Sequence, residues 1–138
     1  MITAIDTNVL LDVLLPNPDF CEASGSGLVE AAAAGSLVVC DMVYAEVCGH
    51  FAAGEECDEF LAENEIRVEA LSRAAHLAAS RAWRQYRKQG GARARILTDF
   101  LVGAHAQMQA NRLLTRDRGF YRGMFPGLVV VAPGGGRN

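Results

Sequence analysis

Four carboxylates recur along the chain at comparable places: Asp6, Glu46, Asp99 and Asp117. Asp6 closes the short apolar run of Ile2, Ala4 and Ile5, which reads as a buried strand ending where a helix begins. In open α/β sheets ligands bind at the carboxyl ends of strands, so a charge at that point is a candidate site residue. The other three acids follow later strands or open later helices, and all four can meet at one edge of a sheet. Like charges about 4 Å apart repel by roughly 4 kcal/mol at an effective dielectric of 20. A cation must therefore sit among them, or some must be protonated. Carboxylates without a convincing His or Cys partner are hard oxygen ligands, which select Mg²⁺ or Mn²⁺ over zinc. The chemistry natural to such a site is in-line attack of water on a phosphodiester, with one or two ions stabilising the attacking and leaving oxygens.

Each acid also has a purely structural reading. Asp6 can be a helix N-cap, Asp99 a first-turn residue favoured by the helix dipole by about 0.3–1 kcal/mol, and Asp117 the side chain of an Asx turn. Taken singly, each of these readings suffices. Glu46 competes with Asp41, since both follow the second strand, and Asp41 is the better placed as an N-cap. Asp12, six residues after Asp6 on a helix, points to a different face and is expected to be solvent-exposed or to make a secondary contact.

The elements that must position these groups follow from apolar periodicity and from turn residues. Residues 8–15 read as a short helix ended by Pro16-Asn17-Pro18, and 20–34 as a second helix capped by Gly35. Gly25-Ser26-Gly27 is no phosphate loop, because it neither follows a strand nor ends in Lys-Ser or Lys-Thr. Strand two covers 37–40, and 41–51 is a helix with Val43 and Val47 on one side. An acidic helix at 55–64 precedes strand three at 66–70. The long helix 72–89 turns Ala75, Ala78, Ala79 and Ala82 inward and stops at Gly90-Gly91. Residues 96–109 form a helix with Leu97, Leu101, Ala104 and Met108 on one face. Strand four at 112–115 leads through a turn at 116–119 into a short helical or irregular stretch at 120–125, and strand five covers 128–132. Strands alternating with helices imply a parallel sheet covered on both faces.

At 138 residues the chain forms one domain, 1–133, followed by a flexible tail at 134–138. Hydrophobic residues make up 51% and charged residues 21%, which excludes a disordered chain, and no apolar run approaches the roughly 20 residues of a membrane span. No secretion signal is expected before the strand at Ile2, so the expected location is cytoplasmic, without a membrane partner. Cys21, Cys40, Cys48 and Cys57 lack a Cys-x-x-Cys pair and are expected to be reduced, buried thiols. A zinc site drawn from Cys48, His50 and Cys57 fits no standard spacing. A net charge of −3 argues against coating nucleic acid by charge alone.

On these residues the chain resembles a PIN-domain ribonuclease of the VapC type, the toxin of type II toxin-antitoxin pairs. The likeness spans nearly the whole chain. It rests on Ile5-Asp6-Thr7-Asn8-Val9-Leu10, on Glu46 in the helix after strand two, on Thr98-Asp99-Phe100-Leu101 with Ala104 and Ala106, and on Leu114-Thr115-Arg116-Asp117 before Gly119-Phe120. The resemblance implies a metal-dependent endoribonuclease in which Asp6, Glu46, Asp99 and Asp117 surround Mg²⁺ or Mn²⁺, supported by Asn8 and Thr115. It further implies a three-layer α/β/α fold with strand order 3-2-1-4-5, a homodimer, and neutralisation by a VapB-like antitoxin. A non-toxin PIN nuclease of RNA processing and a non-catalytic metal- or RNA-binding module are the alternatives. A haloacid-dehalogenase-like phosphatase is disfavoured, because its expected second aspartate is Asn8 and the only lysine is Lys88.

Charge is unevenly spread: residues 55–69 hold seven of the sixteen acids, and residues 73–95 hold seven of the thirteen bases. In the basic stretch Trp83 and Tyr86 alternate with Arg81, Arg84, Arg87 and Lys88. It can grip an RNA backbone and stack a base. Equally, the aromatics pack inward and the arginines form a solvated face or bind the acidic helix. Arg93, Arg95, Arg116 and Arg118, close in sequence to Asp99 and Asp117, are the preferred RNA contacts. His50, His76 and His105 build no Ser/His/Asp or Cys/His arrangement and are expected to be structural or exposed.

Overall fold

A computed structural model describes residues 1–91 and 95–135. The elements run β1 (Ile2–Ile5), α1 (Thr7–Leu14), α2 (Cys21–Ala34), β2 (Ser36–Cys40), α3 (Asp41–Cys48), α4 (Gly54–Glu63), β3 (Ile66–Glu69), α5 (Arg73–Lys88), α6 (Leu97–Gln109), β4 (Arg112–Leu114), α7 (Arg118–Met124) and β5 (Val130–Val131). All five strands are parallel, in the order 3-2-1-4-5, between two helical layers. Strands this apolar suit a sheet covered on both faces: Ala4, Ile5, Val38, Val39, Leu113 and Leu114 are all at most 2% exposed.

β1 lies in the centre, with Ala4 beside Val38 of β2 and Ile5 beside Leu114 of β4. The chain leaves β1 toward β2 on one side and returns to it through β4 on the other. The β1–β4 boundary is therefore the switch point of the sheet, where a crevice opens at the carboxyl ends of the strands.

Several elements differ in detail from what the sequence suggests. Asp41 is not an N-cap: Cys40 holds that position and Asp41 opens α3, its Oδ1 buried without a hydrogen-bond partner among the described residues. α6 does not bury Leu97 or Met108, which are 44% and 48% exposed. Its inner side is instead Phe100, Val102, Gly103, Ala104, His105 and Ala106. The helix is packed against α3, α5, β1 and β4, so more of its circumference is covered than a single stripe can supply. β5 is shorter than 128–132 suggests, and Val129 is 55% exposed. Pro133–Gly135 makes one tight turn against α2, close enough that a Cβ on Gly27 would lie 2.9 Å from the Pro133 Cα. Of the expected tail, residues 136–138 lie outside the described residues.

The four cysteines are free, with Cys40 and Cys57 in the core. Burial raises the Cys40 thiol to about 11 and, together with a bond to Cys48, the Cys57 thiol to about 12. Among the described residues no helix is long and apolar enough to cross a membrane.

Gly35 sets the start of the β1–β2 pairing. Its φ is +156°, and a Cβ there would lie 1.9 Å from the Met1 carbonyl oxygen, which accepts from the Ser36 amide at 2.9 Å. That oxygen is backbone and cannot turn aside. Gly35→Ala is expected to destabilise the fold by about 2 kcal/mol, measured by urea denaturation, because the start of the β1–β2 pairing must open to admit the methyl group.

Candidate active site

Pairing of β1 with β4 sets Asp6 beside Thr115 at the switch point. The Asp6 amide donates to the Leu114 carbonyl at 3.0 Å, continuing the ladder one step beyond β1. Asp6 is also the N-cap of α1, and its Oδ1 accepts from the Thr7 amide at 2.8 Å. The capping reading and the site reading thus describe the same side chain. Its Oδ2 accepts from the Thr115 hydroxyl at 2.8 Å and, more weakly, from Asn8 Nδ2 at 3.3 Å.

Thr115 is fully buried and serves both neighbours, since its Oγ1 also accepts from the Asp117 amide at 3.0 Å. Asn8 Oδ1 accepts from the Arg116 amide at 3.2 Å. Asn8 and Thr115 therefore fasten the α1 N-terminus to the loop between β4 and α7, Asn8 using both ends of its amide. Glu46, exposed on α3, joins from the other side: its Oε1 accepts from the Thr7 hydroxyl at 2.7 Å. Asp99 is half-buried in the first turn of α6, where its Oδ2 accepts from the Ile96 amide at 3.1 Å. One carboxylate oxygen is thereby assigned to capping its own helix.

Tyr121 joins these groups without any sign of it in the sequence. It is 2% exposed on α7 and lies near enough to the Asp6 carboxylate for each to influence the other's pKa. Burial above all, then the neighbouring charges of Asp6, Asp99 and Asp117, raise the pKa of Tyr121, so it stays a phenol. A tyrosine at the fourth position of a seven-residue helix carries no local signal that its ring turns inward. Only the Phe120 and Phe125 packing around it decides that.

Electrostatically the pocket is short of positive charge. Burial, with a smaller push from Glu46, raises the pKa of Asp6 despite the donors around it. Arg95 is paired with one of these acids: its Nη1 donates to Asp117 Oδ2 while its guanidinium lies 4.2 Å from the centre of the Phe120 ring. That bond raises its already high pKa, with further contributions from Asp117 and Asp99.

Arg116 is turned away from the acids. Its Nε and Nη2 donate to the two oxygens of Asp12 at 2.7 and 3.0 Å, and its plane covers the Phe20 ring at 4.0 Å. Asp12, expected to be solvent-exposed or to make a secondary contact, is 3% exposed and also accepts from Ser24 at 2.7 Å. The turn of α1 that carries Asp12 is covered by α2, which sequence periodicity on α1 alone does not reveal. Arg118 is half-buried, and Arg93 lies outside the described residues.

The donor set is all oxygen, which fits a hard divalent cation. Among the described residues, however, no three of the His, Cys, Asp and Glu side chains converge closely enough to enclose an ion. A divalent ion that kept several of its waters would need only one or two carboxylates, and Asp6 would be among the residues to hold it.

Asp6 and Asp117 lie at the carboxyl ends of β1 and β4, the edge at which open parallel sheets bind ligands. The chain belongs to the PIN-domain family, whose profile matches residues 3–125. It is similar in structure to VapBC2 of Rickettsia felis bound to a DNA fragment from its promoter, with a TM-score of 0.73 at 20% identity over 96% of this chain and 99% of that one. VapBC-1 of nontypeable Haemophilus influenzae superposes with a TM-score of 0.70 at 18% identity, covering 96% and 98%. A toxin-antitoxin complex from Klebsiella pneumoniae does so at 0.65 and 19%, covering 94% and 95%. No curated protein matches by sequence.

Removing Asp12 leaves the buried Ser24 hydroxyl without its acceptor and releases Arg116, which is open to water, so Asp12→Ala is expected to cost about 1–2 kcal/mol by chemical denaturation. The raised pKa of Asp6 means that, as pH rises, the unfolded chain ionises this group first. Its contribution to stability is therefore full below the unfolded value of 3.8 and is lost as pH rises through the folded pKa. Asp6→Asn should accordingly raise the melting temperature of the metal-free protein at pH 7 and lose that advantage below pH 3.8. Mg²⁺ at a hundred times its dissociation constant should stabilise the wild type by about 2.7 kcal/mol and the variant far less.

Proposed function

We propose that the protein is a divalent-metal-dependent endoribonuclease toxin of the VapC type. Asp6, Glu46, Asp99 and Asp117 serve as ligands to Mg²⁺ or Mn²⁺, and Asn8 and Thr115 hold Asp6 and the Asp117 loop in register. The observation that carries this reading is the buried Asp6 carboxylate at the β1–β4 switch point, bonded by Thr115, its pKa raised by burial and by the charge of Glu46. Membership of the PIN family, whose nucleases hydrolyse nucleic acids with divalent ions, supports it.

A divalent ion bound here would activate water and stabilise charge on the leaving oxygen. The chain's own residues do the positioning. Thr115 donates to Asp6 and fixes the direction of its carboxylate, while Thr7 orients Glu46 toward the same crevice. Tyr121, held as a phenol, keeps one side of the crevice uncharged. Arg95 balances Asp117 and is placed to meet a phosphate.

Two further parts of the reading are a homodimer and an antitoxin partner. The second is supported by the toxin-antitoxin complex among the structural relatives.

The test is incubation of the purified protein with total RNA and with single-stranded DNA, in Mg²⁺, Mn²⁺ or EDTA. RNA should be cut in metal and left whole in EDTA. Asp6→Ala and Asp99→Ala should each reduce the rate at least about 100-fold. Production of the protein alone should arrest growth, with rescue by the cognate antitoxin. Undiminished cleavage by both variants would overturn the assignment, and RNA that is bound but never cut would return the protein to the class of binding modules.

A further inference from the structure

The nuclease reading uses the carboxyl edge of the sheet and leaves α5 without a role. This helix is amphipathic in an unusual sense. Its inner side is Ala75, Ala78, Ala79 and the half-buried Ala82, Trp83 and Tyr86. Its outer side carries Arg73, Arg81, Arg84, Arg87 and Lys88, all exposed. At 3.6 residues per turn, Arg73, Leu77, Arg81, Arg84 and Lys88 fall in one stripe, which at 1.5 Å per residue runs for about 22 Å.

Three observations decide among the readings open for this stretch. First, the aromatics are engaged inside. Trp83 meets Phe100 edge to face at 5.3 Å, and Tyr86 packs on Phe100 at 5.3 Å and on Phe120 at 6.5 Å. They offer no exposed stacking platform. Second, among the described residues none of the five outer cations forms an ion pair, with the acidic helix α4 or elsewhere; the ion pairs there involve Arg67, Arg95, His105 and Arg116. A merely solvated helix face normally interleaves acids at i+4, whereas residues 70–98 contain none. Third, the bases at i, i+3 and i+4 repel one another, and Arg73 sits at the helix N-terminus, where the dipole disfavours a cation. Among the described residues no ion pair offsets that repulsion, although Arg87 lies over the Trp83 ring at 5.8 Å and, with Lys88, occupies the last turn, where the dipole favours a cation.

Its direction is informative. The C-terminal turn of α5 lies one aromatic layer from the acids, because Tyr86 touches Phe120, Phe120 supports Arg95, and Arg95 holds Asp117. Gly91 is pressed against the Tyr86 ring, where a Cβ would lie 2.4 Å from it, so the chain turns tightly at the end of α5.

We propose that the outer stripe of α5, through Arg73, Arg81, Arg84 and Lys88, is a docking track for the phosphodiester backbone of a single-stranded RNA whose cleaved bond lies at the acidic crevice. The role of the crevice rests on the nuclease reading, but the binding does not. Because the track offers charge without exposed aromatics, it grips the backbone independently of sequence, and its contribution falls with salt.

The experiment measures binding of a fluorescein-labelled single-stranded RNA of about 20 nucleotides by anisotropy, in EDTA, from about 50 to 300 mM KCl. The variant combines Arg81→Glu, Arg84→Glu and Lys88→Glu, and a second version places Gln at all three positions in case charge reversal impairs folding. The expected result is affinity reduced at least about 10-fold at about 150 mM KCl and a log-log salt slope shallower by about 2, at roughly 0.7 for each phosphate no longer neutralised. Cleavage of a four-nucleotide RNA, too short to reach from the crevice along α5, should be unchanged. Affinity and slope equal to the wild type in the Gln variant would overturn the track. So would loss of binding to poly-glutamate with RNA binding intact, which would assign the stripe to an acidic polypeptide. If the variants lose RNA binding but the wild type cuts no RNA in Mg²⁺ or Mn²⁺, the track stands and the nuclease reading fails.

Discussion

The molecule is organised around the problem of keeping one carboxylate charged inside a sheet edge. Asp6 stands where β1 meets β4, largely removed from water, and burial alone disfavours its ionised form. Hydrogen bonds from the Thr7 amide and Thr115, with Tyr121 close by, offset part of that cost, while Glu46 adds to it. These groups come from different elements, so the charge can be held only when β1, α1, β4 and α7 are all in place.

The same demand is met again on either side of the crevice. On one side Arg116 and Asp12 form a bidentate pair that ties the loop after β4 to α1, with α2 closing over it through Ser24 and the preceding Phe20. On the other, Arg95 neutralises Asp117 above the Phe120 ring, and the rings of Phe100, Phe120, Tyr121 and Phe125 link α6 to α7. Two arginines adjacent to site acids in sequence therefore have unlike tasks. Arg116 is a clamp within the fold, and Arg95 is the positive charge at the acidic edge. Farther away, His105 is fully enclosed and bonded to Glu69 at 2.8 Å, joining α6 to the end of β3 as a structural histidine.

Much of the frame is legible in the chain because parallel strands buried on both faces must be short and continuously apolar. Ile2–Ile5, Leu37–Cys40 and Arg112–Leu114 stand out for that reason, and the intervening helices announce themselves by caps and glycines. The inward alanines of α5 are legible by the same logic. What periodicity misreads is any helix covered on more than one side. α6 buries Gly103 and His105 and exposes Leu97 and Met108, because neighbours on several sides replace the single stripe with a broad one. Asp12 is misread for the converse reason: its burial is imposed by α2, an element that the pattern of α1 does not contain.

What the sequence by itself determines is the order of the acids and the strand end that carries Asp6, because charge at the close of an apolar run is a local property. It also determines the imbalance of charge along the chain, with bases gathered between 73 and 95. Only the tertiary structure decides which groups serve each acid. Thr115 reaches Asp6 because Ile5 registers with Leu114, more than a hundred residues away. Tyr121 turns inward because Phe120 and Phe125 pack around it, and Trp83 turns inward because Phe100 lies beneath it. Hydrogen bonds and ring contacts of this kind depend on distance in space, and separation along the chain carries almost no information about them.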